Sequence, residues 1–322
     1  MTKSALLSTS FATIAIPLLL AAPAEALNSR SWVSGLGTDS APCTRSAPCA
    51  TLQHAHDQTV AGGEISILDS GDFGIGAVFF ISKSISIVSE GAEGGYQGNG
   101  IIINGGATDF INLRGLIIDG FIVNGQGGII FNSGAALNIE NCVIRNFTAN
   151  SPGIGILFQP NGAAKLVVSD TSLSGNGQGL VGGGIVVKPP AGGSALVTLN
   201  RVTAAKNVFG IAADGTGSTA GINMTIADSV ISGNSQDGII ATTPSGGAPI
   251  GVMVTNTKSV NNAAFGIRSI GPNVTVRVGD STITGNNIGL SFSGGGALLT
   301  YGTNKVQANG SDGAFFGAVG LQ

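Results

Sequence analysis

Beyond its first sixty residues this chain has no histidine, so any chemistry there rests on scattered carboxylates and cations. Arg114 and Glu140 stand one repeat apart. A cation and a carboxylate so placed are able to hold a sugar, or else form an exposed cross-strand ion pair worth under ~1 kcal/mol. Asp170, Asp228 and Asp280 recur at one place in successive repeats, each followed by Ser or Thr, and Asn256 takes the same place without charge. That pattern favours turn formation over metal binding, because a short acceptor bonds a neighbouring backbone N–H and fixes a bend. Cys43 and Cys49 lie six apart in a Pro-rich loop and read as a small disulfide ring in an oxidising compartment. A zinc site there would need two further ligands, and His54 and His56 fall on different sides of the helix expected from about Thr51. Cys142, among Ile139, Val143 and Ile144, reads as a buried thiol. These residues assign no catalytic group, no metal site and no cofactor.

The elements that would position them follow from a repeat. Asn124, Asn146, Asn176, Asn207, Asn234, Asn262, Asn286 and Asn309 recur every 22 to 31 residues, each followed by a glycine and then an aliphatic residue. A period of that size is one stacked unit. Within the unit from Met224 to Ala241, Met224 and Ile226 alternate with Thr225 and Ala227, as a half-buried strand requires, and the asparagine turn separates a second strand from a third. A three-strand coil buries nothing alone, but stacking at ~4.8 Å pairs each strand with its equivalents above and below. The expected fold is all-β, a right-handed parallel β-helix of about nine or ten coils with three strands each, capped by a short helix over residues 51 to 60. Stacked asparagines would bond one another along the axis and tolerate a left-handed bend, whereas stacked carboxylates would repel. Two residues beyond the repeated glycines, Ile130, Leu157, Val186, Ala212, Ile240, Arg268, Ser291 and Phe315 should point outward, forming a mostly apolar stripe.

With its asparagine ladder, three strands per coil and helical cap, the chain resembles the right-handed parallel β-helix of the pectate-lyase-like superfamily. The opening Trp32-Val33-Ser34-Gly35, the Pro-Cys loop, Thr51-Leu52-Gln53 and Ala61-Gly62-Gly63-Glu64-Ile65 are similar to exported bacterial β-helix repeat proteins. The resemblance implies a site, if there is one, outside the first strand of each coil. There the expected outward residues are mostly neutral, Arg114 and Glu140 excepted. A calcium-assisted lyase needs converging carboxylates and a base, and hydrolysis needs paired acids on adjacent coils. The Asn-x-Asp, Asp-Asp, His-Gly and Arg-x-Lys motifs of the polygalacturonase type do not occur in the coils.

The N-terminus reads as an address. Lys3, the apolar stretch Ala12 to Ala22 and Ala24-Glu25-Ala26 form a cleavable signal peptide over residues 1–26, leaving one domain over 27–322, with loop and cap to residue 60 and coils from 61. The product would be periplasmic, cell-surface or secreted. A net charge of −3 offers no basic field for nucleic acid, and no later segment is long and apolar enough to span a membrane. The expectation is a non-catalytic rod that offers a rigid face to an extended polysaccharide or another cell-surface component. Two alternatives stand beside it: a lyase or hydrolase with a diverged site, and a structural or adhesive rod pairing with itself or a protein partner through the stripe or the C-terminal edge.

Overall fold

A computed structural model describes residues 27–74, 76–120, 127–148 and 152–320. The expected signal peptide and Asn124 lie outside the described residues. Three parallel sheets of 12, 10 and 9 strands wrap a single hydrophobic core. The chain passes from first to second to third sheet and back, making a β-solenoid of about 10 turns. The unit read from sequence is visible in register: Met224 pairs with Val252, Ile231 with Ser259 and Ile239 with Ile267. Inward rows of Ile, Val and Leu are sealed, with Ile111, Ile129, Ile156, Ile211 and Ile226 each 0% exposed. Burying one such side chain contributes about 2 kcal/mol.

The asparagine file runs from Asn176 to Asn309, with the step from Asn207 to Asn234 made by the Asn207 backbone N–H alone, at 3.0 Å to Asn234 Oδ1. Asn234 Nδ2 donates to Asn262 Oδ1 at 2.8 Å, Asn262 to Asn286 at 2.9 Å and Asn286 to Asn309 at 2.9 Å. Each Oδ1 also accepts the backbone N–H of the preceding asparagine, and each Nδ2 also reaches a carbonyl of the preceding coil, as Asn262 does with Ile231. One amide thus satisfies backbone groups of a bend that the core has removed from water. Asp312 Oδ1 closes the file, accepting from Asn309 Nδ2 at 2.9 Å.

Two expectations for this turn need correction. Asn146 is not in the file: the register of Ile144 with Leu173 puts Phe147 at the ladder position, and Phe147 N–H donates to Asn176 Oδ1 at 3.2 Å. Asn146 instead bonds Asp119 at 3.0 Å. Nor do the buried ladder asparagines adopt the left-handed backbone. The residue before each does, namely Asn146 before Phe147, then Gly175, Lys206, Gly233, Asn261, Gly285 and Ala308, with φ between 57° and 71°. The repeated glycine has a different cause. A Cβ on Gly266 would meet the Gly289 carbonyl at 2.6 Å and Asn286 Nδ2 at 2.8 Å, so the ladder itself excludes a side chain there.

A second file runs along the first turn. Val202 N–H donates to Ser229 Oγ, Ser229 N–H to Thr257 Oγ1, Thr257 N–H to Ser281 Oγ and Ser281 N–H to Asn304 Oδ1, at 3.0 to 3.4 Å. The residues before Val202, Ser229, Thr257 and Ser281, namely Arg201, Asp228, Asn256 and Asp280, have φ between 43° and 52°. These acids therefore mark the bend, although it is the next residue's hydroxyl that bonds the backbone.

The N-terminal end is covered by three devices. Strand Asn28–Val33, which the sequence reading did not anticipate, pairs in parallel with Thr59–Ile67. Its free edge is met by the Cys43–Cys49 loop, with Cys49 N–H donating to Trp32 O at 2.9 Å. The helix is Leu52–Asp57, shorter than expected because Thr59 already begins a strand, and it buries Leu52, Ala55 and His56. Gln53 acts as one more strand residue, accepting from Phe80 N–H at 2.8 Å and donating to Phe80 O at 3.4 Å. At the other end, Gly317–Ala318 pairs with Leu299 and Thr300, and Phe316 packs edge-on against Phe292. Phe315, expected outward, packs against the core instead, because Ser311 stands over Ile288 and Asp312 rather than Gly313 takes the glycine place over Gly289, a slip of one that turns Phe315 inward.

Replacing Asn262 by Asp is expected to destabilise the rod by about 3 kcal/mol, since it removes both donors from a buried amide and adds a charge. Urea unfolding and hydrogen exchange at the flanking coils measure this. His56 supplies a pH test. Its Nε2 accepts Ser82 N–H at 3.4 Å, and burial pushes the ring below the ordinary histidine value of 6.5 despite the opposing pull of Asp57. The unfolded chain therefore takes up this proton first, so the contribution is complete above about pH 6.5 and is lost as pH falls through the folded value. The thermal midpoint should fall between about pH 7 and pH 5 more steeply in wild type than in His56→Gln.

Candidate functional site

In a stacked sheet the outward residues of successive coils form columns along the rod. At the start of the first-sheet strands one column runs through Phe110, Ala136, Lys165, Leu196, Asn223 and Gly251. Small residues in the loops entering this sheet, including Ala107, Ala163, Ala220 and Pro249, leave room beside the column, and a groove of about 750 Å³ results. Phe110 and Leu196 are over half exposed there and give it apolar patches. Among the described residues, Lys165 and Arg277 are its only charged lining residues, and no carboxylate, histidine or thiol lines it. Neither cation makes an ion pair among the described residues. Register counts four coil steps from Lys165 to the strand of Arg277, which is ~19 Å along the axis.

Arg114 and Glu140 lie on the same sheet in the column at the strand ends, outside the groove lining. Register sets them opposite each other, yet Arg114 turns to the preceding coil and pairs with Glu90 at 3.0 Å. Both partners of that pair are at least half exposed, so its contribution is under ~1 kcal/mol. Glu140 makes no ion pair among the described residues. The groove cations were missed in sequence because Lys165 and Arg277 are neither adjacent nor at equal places in their strands. Only the curvature of the loops joins them.

The other chemistry-bearing residues are structural. Asp170 receives Arg201 through two bonds, at 2.6 and 2.7 Å, and the Arg201 guanidinium holds this carboxyl below the usual range. Asp228 accepts from Asn256 Nδ2 at 2.6 Å. Cys142 sits in the hydroxyl file, donating to Glu140 O and accepting from Leu116 N–H, and burial pushes its thiol up to about 11. That is unsuited to nucleophilic work. Cys43 and Cys49 are joined to each other, so their proximity to His54 offers no thiolate to a metal. The outward row of the third sheet, from Phe80 and Ile102 through Ile130, Leu157 and Ile240, is in register, and Ile102, Ile130, Leu157 and Ile240 are half-buried. No helix among the described residues is long and apolar enough to cross a membrane.

One buried acid escaped the sequence reading. Asp237, 1% exposed, faces Arg268 Nη1 at 3.6 Å while its Oδ2 lacks a hydrogen bond, and Arg268 lies over the Phe265 ring at 4.3 Å. Burial pushes this carboxyl up, against the pull of Arg268.

No family model and no curated protein matches the chain. Among solved structures it is similar to a rhamnogalacturonan lyase, at 16% identity and TM-score 0.48, covering 88% of each chain. It is also similar to a GH136 lacto-N-biosidase from Eubacterium ramulus, at 12% identity and TM-score 0.45, covering 91% of this chain and 67% of that one.

The raised Asp237 makes a prediction with a defined sign. The folded state holds this proton more tightly than the unfolded chain, so stability falls as pH rises from the ordinary carboxyl value of 3.8 through the folded value. Asp237→Asn should therefore raise the urea midpoint over wild type at neutral pH, with the advantage vanishing near about pH 4.

Proposed function

We propose that this chain is an exported β-solenoid that binds an extended polysaccharide along the groove of its first sheet without cleaving it. The observation that carries this reading is a groove that, among the described residues, holds two cations without ion-pair partners, ~19 Å apart along the axis, and no acid. Such spacing suits two points of contact on one chain and rules out joint action on one bond. Hydrolysis by paired carboxyls requires them about 5 to 10 Å apart, and a hard cation requires several oxygen ligands in one place. The cations favour an acidic chain, and Phe110 and Leu196 offer apolar contact to sugar rings. Export is supported by Lys3, the stretch Ala12 to Ala22 and Ala24-Glu25-Ala26, together with the Cys43–Cys49 disulfide, which belongs to an oxidising compartment.

A second reading, a rod that pairs with a protein partner, draws on the outward row of the third sheet. It is the weaker one. The side chains of that row are largely shielded by their own neighbours, and a stable interface needs about 800 Å² from each partner.

The test is to incubate purified residues 27–322 with a panel of acidic and neutral polysaccharides, following mobility in affinity gels and polymer size by gel filtration. Retardation by an acidic polymer of unchanged length is the expected result. Replacing both Lys165 and Arg277 by Ala should weaken it about tenfold, the effect of ~1.4 kcal/mol. Shortening of any polymer that is lost in Lys165→Ala would overturn the non-catalytic reading.

A further inference from the structure

The chain spends its single tryptophan on an outward position. Trp32 lies between Ser31 and Val33, both 0% exposed, so strand alternation turns its indole to the outer face of the first sheet. There it walls a recess of about 330 Å³, near the lower end of small-ligand pockets. Ser66 and Val88, in register with Trp32, form the floor, and Arg30, Arg45 and Glu90 stand around it.

Most of this wall is held in place. Arg30 pairs with Glu64 at 2.8 Å, donates from Nε to Ser66 Oγ at 2.9 Å and lies over the Trp32 ring with Cζ 5.4 Å from its centroid. Glu90 is engaged by Arg114. Arg45 differs. It is exposed, makes no ion pair or hydrogen bond through its side chain among the described residues, and sits in the turn closed by Ala47 N–H donating to Thr44 O at 3.2 Å. The Cys43–Cys49 disulfide and the bonds from that loop to Trp32 fix this turn beside the indole. The recess therefore combines an apolar aromatic wall, one free guanidinium and acceptors already neutralised by partners.

We propose that this recess binds a single carboxylate-bearing sugar residue, its ring against Trp32 and its carboxylate on Arg45. A sugar's C–H face suits an indole, and a guanidinium takes a carboxylate through two parallel bonds. Because the wall is rigid before binding, little ordering cost opposes it. The site uses none of the groove's lining residues and stands independently of the groove reading.

Trp32 is its own reporter, since no other tryptophan emits. Titrating residues 27–322 with trigalacturonate should change the emission saturably at about millimolar concentration or below. The same trisaccharide with its carboxyls reduced should leave it unchanged. Arg45→Ala, at an exposed turn, should lose the response by at least about tenfold in concentration, while Lys165→Ala should keep it. An emission indifferent to trigalacturonate, an equal response to the reduced sugar, or a response surviving Arg45→Ala would each overturn the proposal. None of these results bears on polymer retardation by the groove, which Arg45→Ala should leave intact.

Discussion

Everything in this molecule depends on identical groups being stacked at one strand spacing. Parallel pairing at ~4.8 Å places each residue above its counterpart, so any group that cannot tolerate its own kind as a neighbour is excluded from the interior. An amide tolerates it, because it donates and accepts at once. The file from Asn176 to Asn309 uses both functions, bonding the backbone of the bend at each step and the next amide at every step except Asn207 to Asn234. Where the file meets Phe147, backbone donation to Asn176 continues, but the side-chain chain ends. At the far end a carboxylate is acceptable because Asp312 is exposed and has only to accept.

The same stacking decides what the surface offers. Columns of like character arise without selection for a site, so a neutral column is the default and an interruption is informative. On the first sheet Arg30 pairs with Glu64 and Arg114 with Glu90. Among the described residues Lys165 and Arg277 on that sheet and Arg45 in the disulfide loop make no ion pair, and each lines a recess. A cation left unpaired in a concave place keeps its full attraction for a ligand, whereas a paired one must first lose a partner. The rigidity of the rod supports this, since columns anchored by a sealed core move little when a ligand arrives.

The fold was largely legible because a helix-free repeat has one way to bury its aliphatic rows. The aliphatic residues that follow the repeated glycines, Ile129, Ile156, Ile211 and Ile239 among them, recur with the period, and the structure seals them. Errors arose where two neighbouring residues both fit the pattern. Asn146 fits the ladder spacing because it precedes a glycine at a suitable interval, but Phe147 fills the inner place and Asn146 takes the left-handed one beside it. Likewise Phe315 turned inward where the final coil lost its register.

What the sequence by itself determined is the coil, its inner rows and the sparseness of its charge, because these are local and periodic. The tertiary structure alone decided which cations meet which acids and where the surface becomes concave. Arg114 pairs with Glu90 rather than Glu140, although register sets it opposite Glu140 and, on the preceding coil, opposite Val88, because side-chain rotamers rather than spacing set that contact. Lys165 and Arg277 share a groove only because loops of unequal length, lined by alanine and glycine, recede between them. Trp32 became a wall only when the disulfide loop folded back along its strand. Loop length and loop path carry no period, and so no reading of spacing reaches them.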